Sequence, residues 1–88
     1  MTEFRRYHHP APPGSLVVRI VTTGGALFGF IREINEGDDT DDAYPSEQKP
    51  LDQVWRLVAN KVKAEPGTDV LVDLEPGIEW DPHWGRLA

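Results

Sequence analysis

Residues 51–62, LDQVWRLVANKV, decide the fold of this chain. Their apolar members recur three or four positions apart, which places them along one side of an α-helix. The members of this apolar stripe are Leu51, Val54, Trp55, Val58 and Val62. Because the opposite side is polar, the sequence predicts an amphipathic helix whose stripe lies on an apolar sheet.

The ends of this helix are marked by residues with special backbone preferences. We expect Ser46 to cap the start and Pro50 to lie in the first turn, where a missing N–H has little cost. Residues 65–67, Glu-Pro-Gly, mark the end, because proline cannot continue a helix and glycine accepts the left-handed backbone that often follows one.

The predicted sheet begins with a β-hairpin. Residues 16–22 are rich in β-branched side chains, which favour strands, and residues 26–34 form the second strand. Gly24 and Gly25 lie between them and can adopt the positive φ of a tight hairpin turn. Both faces of the second strand carry apolar residues, which predicts either a covered central strand or a strand half exposed at an interface.

A further strand is predicted over residues 70–74, where Val70, Val72 and Leu74 share one face. The tripeptide Glu-Pro-Gly occurs just before it and again at residues 75–77, in the pattern of type II turns. Residues 78–80 are expected to add a short final strand.

The order strand, strand, helix, strand, with one more short strand, resembles that of β-grasp domains and of small two-layer sandwiches generally. We therefore predict an α+β fold, a small two-layer sandwich with an antiparallel or mixed sheet.

Residues 1–14 are expected to form a flexible Pro-rich arm, because proline lacks the N–H that a central strand needs. Residues 15–84 form the single domain, with an acidic loop at 35–49, and residues 85–88 form a tail.

The composition fits a globular protein of a reducing compartment. Of 88 residues, 39% are hydrophobic and 27% are charged, which suits a folded domain. The chain has no cysteine, so disulfides, thiolate metal sites and cysteine nucleophiles are excluded. With a polar start and no apolar stretch of about 20 residues, we expect a cytoplasmic protein without a membrane span.

The charge of the chain is acidic and uneven. Fifteen acidic against nine basic residues leave a net charge of −6, which disfavours broad nucleic-acid binding. Four carboxylates cluster in the acidic loop, at Asp38, Asp39, Asp41 and Asp42. A calcium loop starting there would need glycine and glutamate where Ala43 and Lys49 stand. We interpret the cluster as a solvated loop or as an electrostatic docking surface.

No group of residues in the sequence matches a catalytic or cofactor motif. His8 and His9 adjoin in a loose Pro-rich segment, which is a poor geometry for a metal site. Asp81 lies two residues from His83 and could orient its imidazole, but no nucleophile motif accompanies the pair. We therefore predict no catalytic, cofactor-binding or metal-ligating residues and no enzymatic activity.

Three aromatic residues are candidates for contact with a partner protein. Tyr44 lies in the acidic loop, and Trp80 and Trp84 flank a turn near the end of the chain. Tryptophan is enriched among binding hot spots, so we add all three to the four aspartates as predicted interaction residues. The alternative for the two tryptophans is a lid over the core.

Three functions stay open at this point. The leading prediction is a small non-catalytic protein-interaction module, whose partner is another protein or a second copy in a homodimer joined through the hairpin or through edge strands. The first alternative is an acidic inhibitor of a nucleic-acid-binding protein, of the immunity, antitoxin or phage counter-defence type. The second alternative is a small enzyme or ligand-binding domain that uses His83, Asp81 and Glu79.

Overall fold

The protein is an α+β two-layer sandwich, as predicted. The computed structural model describes residues 3–8, 11–34 and 48–88, which contain a mixed six-stranded sheet and one α-helix. The elements in chain order are β1 (Glu3–Arg6), β2 (Leu16–Thr23), β3 (Ala26–Glu33), β4 (Lys49–Pro50), α1 (Leu51–Ala64), β5 (Val70–Leu74), a 3₁₀ turn (Pro82–Trp84) and β6 (Arg86–Leu87). The strand order across the sheet is β4-β3-β2-β5-β1-β6.

The hairpin of β2 and β3 confirms the prediction made from the two glycines. Gly24 and Gly25 have φ values of 60° and 82°, which fit a two-residue type I′ turn. The strands pair antiparallel from Thr23 opposite Ala26 to Leu16 opposite Glu33. The turn therefore fixes the register of eight residue pairs.

Strand β5 lies beside β2 and runs parallel to it, from Val70 opposite Leu16 to Leu74 opposite Ile20. A parallel neighbour requires a crossover connection, which α1 supplies. Both Glu-Pro-Gly turns form as predicted, because Gly67 and Gly77 each have a φ of 95°. In each turn the carbonyl of the glutamate accepts a hydrogen bond from the N–H three residues later, at 3.3 and 3.0 Å.

Helix α1 packs on the sheet with the predicted apolar stripe. Val54 and Val58 are fully buried, and the other three stripe residues pack at the margin of the same core. The helix begins at Leu51, with Pro50 as N-cap and no side-chain cap. Pro50 therefore lies before the first turn in which it was expected and takes the N-cap position, because Lys49 and Pro50 pair with β3. Ser46, the expected cap, lies outside the described residues.

The core between the two layers is built from alternate residues of the central strands. The sheet residues buried against the helix include Leu16, Val18 and Ile20 of β2 and Val70 and Val72 of β5. Gly29 of β3 lets the helix approach closely, because a β-carbon there would lie 3.0 Å from Val54 Cγ2. The glycine is thus a packing requirement rather than a turn residue.

Strand β1 departs from the expected flexible arm. It lies between β5 and β6, with Phe4 opposite Val70 and only 2% exposed. The prolines that suggested an arm all follow the strand and leave its N–H groups available. On the sheet face opposite the helix, Ala11 is buried with Val17 and Leu71, and Tyr7 packs against them.

Two further boundaries differ from the sequence predictions. Lys49 belongs to β4 rather than to the acidic loop, because it pairs with Gly29. Residues 78–80 form no strand; the final strand is β6, within the expected tail, and it pairs in parallel with β1. In the described ranges, no helix combines the length and the apolar character needed to cross a bilayer.

We predict that Gly29→Ala destabilises the fold by about 1–3 kcal/mol, because the added methyl group overpacks the contact with Val54. The same change should cost less in a Val54→Ala background, where the clashing methyl groups are gone. Urea denaturation of the four members of this double-mutant cycle measures the difference. Equal costs in both backgrounds would contradict the close contact between α1 and β3.

Candidate functional site

The candidate site is the outer edge of β3. In a two-residue hairpin the pair next to the turn, here Thr23 and Ala26, exchanges both backbone hydrogen bonds. Even-numbered residues of β3 therefore direct their N–H and C=O groups toward β2, and odd-numbered residues direct theirs away from it. The bond from the Ile34 N–H to the Ser15 carbonyl, at 2.9 Å, continues this alternation beyond the strand.

Strand β4 covers a small part of this outer edge. Gly29 faces Lys49, and Phe28 faces Pro50. Because Phe28 directs its backbone groups toward β2, Pro50 stands at a position where its missing N–H costs no hydrogen bond. Within residues 3–8, 11–34 and 48–88, no strand pairs with the outward groups of Ile31 and Glu33.

Charged side chains line the helix side of this edge. Lys61 Nζ lies 3.1 Å from Glu33 Oε1 and 2.9 Å from Glu65 Oε2. Hydrogen bonds to Glu65 and then to Glu33 raise the pKa of Lys61 above its usual value. Beside this group lies an open cleft of about 460 Å³, which Ser15 and Ile34 also line.

The acidic segment is attached to the same edge at both of its ends. Ile34, just after β3, is held by backbone bonds to Gly14 and Ser15, and Gln48 leads directly into β4. The predicted interaction residues Asp38, Asp39, Asp41, Asp42 and Tyr44 lie outside the described residues. Both anchor points directly adjoin strands of the sheet, Ile34 after β3 and Gln48 before β4.

Trp80 and Trp84 belong to an aromatic cluster on the helix face of the sheet, at the end opposite to β3. The cluster contains Phe4, Trp55, Trp80 and Trp84, with ring centroids 5.1–5.9 Å apart. Trp80 Nε1 donates to the Gly85 carbonyl oxygen at 3.1 Å, which directs the chain toward β6. Both tryptophans are half-buried against the core, as a lid would be, and their contact with a partner stays a prediction.

Asp81 and His83 form a turn cap. Asp81 Oδ1 accepts from the His83 backbone N–H at 2.9 Å and lies 2.9 Å from Nδ1 of its ring. These two hydrogen bonds, the backbone one first, lower the pKa of Asp81 below its usual value. The His83 side chain is 95% exposed, so the contact stabilises the 3₁₀ turn in open solvent rather than in an enclosed site.

The sheet face opposite the helix carries polar contacts that could not be predicted from the sequence. Arg19 and Asp73 lie opposite each other in β2 and β5, and Arg19 Nη1 donates to Asp73 Oδ2 at 2.8 Å. Arg32 is buried over the Tyr7 ring and donates to its hydroxyl at 3.4 Å. The first contact joins β2 to β5, and the second holds Tyr7, just after β1, on the sheet.

Comparison with known proteins adds no assignment. No family model, no curated protein and no solved structure matches the chain. In the ranges described above, no three His, Asp or Glu side chains lie close enough to hold a metal ion. The function is therefore argued from the geometry of the β3 edge.

We predict that the carboxyl of Asp81 titrates below its ordinary range and that His83→Ala moves its midpoint part of the way back. The shift is partial because the backbone N–H of residue 83 still donates to Asp81 after the substitution. The stability that this cap contributes is present above the ordinary pKa and is lost as the pH falls through the lowered folded-state pKa. NMR titration of the carboxyl carbon measures both midpoints, and an unshifted midpoint in the unsubstituted protein would refute the cap.

Proposed function

We propose that the protein is a non-catalytic protein-interaction module that binds a partner by strand addition at the outer edge of β3. The observation that carries the proposal is the pairing pattern of this edge. Gly29 is paired to β4, whereas Ile31 and Glu33 direct their backbone groups outward without a partner strand in the described residues. Such an edge is a template for a further strand, from another protein or from a second copy in a homodimer.

The surroundings of the edge support this role. Ile31 is half-buried against the core and Glu33 is tied to Lys61, so the helix supports the strand from one side. The strand itself is held by eight residue pairs with β2. A partner strand therefore meets a prearranged edge, which reduces the ordering cost of binding.

We predict that Glu33→Pro abolishes partner binding and that Glu33→Gln does not. Proline removes the outward N–H of residue 33 but breaks no bond to β2, because that N–H points away from it. Both variants lose the ion pair to Lys61, so glutamine is the matched control. Affinity capture from the native cells and sedimentation velocity of the purified chain compare the variants.

If Glu33→Pro retains the same captured protein, or the same self-association, as Glu33→Gln, the β3 edge is not the binding surface. Far-UV circular dichroism establishes that both variants keep the fold before they are compared.

A second candidate function is an acidic inhibitor of a nucleic-acid-binding protein. The observation that favours it is that an acidic segment leaves from Ile34 and returns at Gln48, both next to β3. Carboxylates between two points attached to the sheet suit docking to a basic groove. In this form of the proposal the contact is made by side chains of the segment rather than by the strand edge.

Neutralising the four aspartates of the segment to asparagine distinguishes this candidate. We predict a slower association with the captured partner and a flatter dependence of the association rate on salt, because electrostatic steering is removed. Surface plasmon resonance over a range of salt concentrations provides the rates. An association rate unchanged from that of the parent chain would exclude the docking role.

The proposal assigns no catalytic step to His83, Asp81 or Glu79, because the turn cap accounts for the contact between the first two. Trp80 and Trp84 lie at the opposite end of the sheet from β3, so contact of their exposed portions with a partner is a separate proposal. We propose a cytoplasmic location, which a chain without cysteines suits.

A further inference from the structure

We infer that the strand added to β3 is an extended basic segment of another protein rather than a second copy of this chain. The inference rests on the proposed strand addition and concerns the chemistry of the partner. Its basis is the register that the edge imposes and the charges that this register brings together.

The register follows from the outward positions of β3 with which no strand of the described residues pairs. With Gly29 already paired to Lys49, an antiparallel partner strand makes its backbone bonds at Ile31 and Glu33. The partner residues opposite these two lie on the helix side of the sheet, and the residue between them lies on the opposite side. The side chains of the partner strand therefore alternate between the two faces of the sheet, and each face selects the residues that lie on it.

The helix side of the edge favours a cation. The side chains of Glu33 and Glu65 are 59% and 62% exposed, and they share one ammonium group, that of Lys61. Two carboxylates against one ammonium leave this cluster of three side chains with one negative charge in excess, within a chain of net charge −6. Lysine or arginine at the partner positions opposite Ile31 and Glu33 would offset this excess.

The opposite side of the edge favours apolar partner residues. Phe30 of β3 is half-buried on that face next to Ile31, whereas Phe28 faces Pro50 of β4. A partner segment that alternates basic and apolar residues therefore matches both faces of the edge at once.

A second copy fits the same register poorly. A two-fold antiparallel pairing that leaves β4 in place sets Ile31 opposite Glu33 of the other copy and the two Arg32 residues opposite each other. Like charges directly opposite in a sheet are destabilising, and two chains of net charge −6 repel each other as well. The symmetric pair is therefore the weaker of the two complexes.

The test is an NMR titration of the full chain with two capped peptides of nine residues, one alternating valine with lysine and the other valine with glutamate. We expect the lysine peptide to shift the amide signals of Ile31 and Glu33 most and to bind about tenfold more tightly than the glutamate peptide at low salt. Glu33→Pro should abolish the shift of the Ile31 amide. Glu33→Gln should retain the shifts at residues 31 and 33, because its backbone N–H is intact, but should bind the lysine peptide more weakly, because one of the two carboxylates is gone.

Each other outcome has a defined meaning. Equal binding of both peptides at Ile31 and Glu33 would overturn the basic partner but leave strand addition standing. Shifts from the lysine peptide that lie away from β3 and survive Glu33→Pro would overturn both. A stable dimer in sedimentation velocity that Glu33→Pro dissociates would overturn the choice of a heterologous partner over a second copy.

Discussion

The packing of the apolar stripe of α1 on the sheet is the interaction on which the rest of the structure depends. Val54 and Val58 are fully buried, and each contributes about 1.5–3 kcal/mol by leaving water. Gly29 permits the close approach, because any β-carbon at that position would meet Val54. The helix in turn connects β4 to β5, so its position fixes which strands become neighbours in the sheet.

The second half of the sheet is assembled from both ends of the described chain and depends on aromatic packing. Strands β1 and β6 have four and two residues, too few to be stable alone. Phe4 anchors β1 against Trp55 and Trp80, while the Trp80 bond to Gly85 and the turn at Asp81 return the chain to β6. This half of the sheet therefore exists because the helix supplies Trp55 as a surface for the other rings.

The sequence was informative where periodicity extends over several residues and uninformative where it does not. The helix stripe, the glycine hairpin and β5 were predicted, because each has a repeat or a turn residue with one structural meaning. Strands β1, β4 and β6 are too short to show alternation, and the rings that hold Phe4 lie some fifty or more residues away in sequence.

Of the candidate site, the acidic segment could be recognised from the sequence by its composition. The outward direction of Ile31 and Glu33 follows from the hairpin register and required the strand pairings.

The central claim is that α1 lies against β3 with Val54 over Gly29. A carbon-edited NOESY spectrum of the protein in solution tests this contact directly, since protons this close give strong cross-peaks. The account predicts strong cross-peaks between the Val54 methyl groups and the α-protons of Gly29, together with slow exchange of the Val18 and Val72 amides. Absent cross-peaks with rapid exchange of those amides would contradict the packing and the edge geometry built on it.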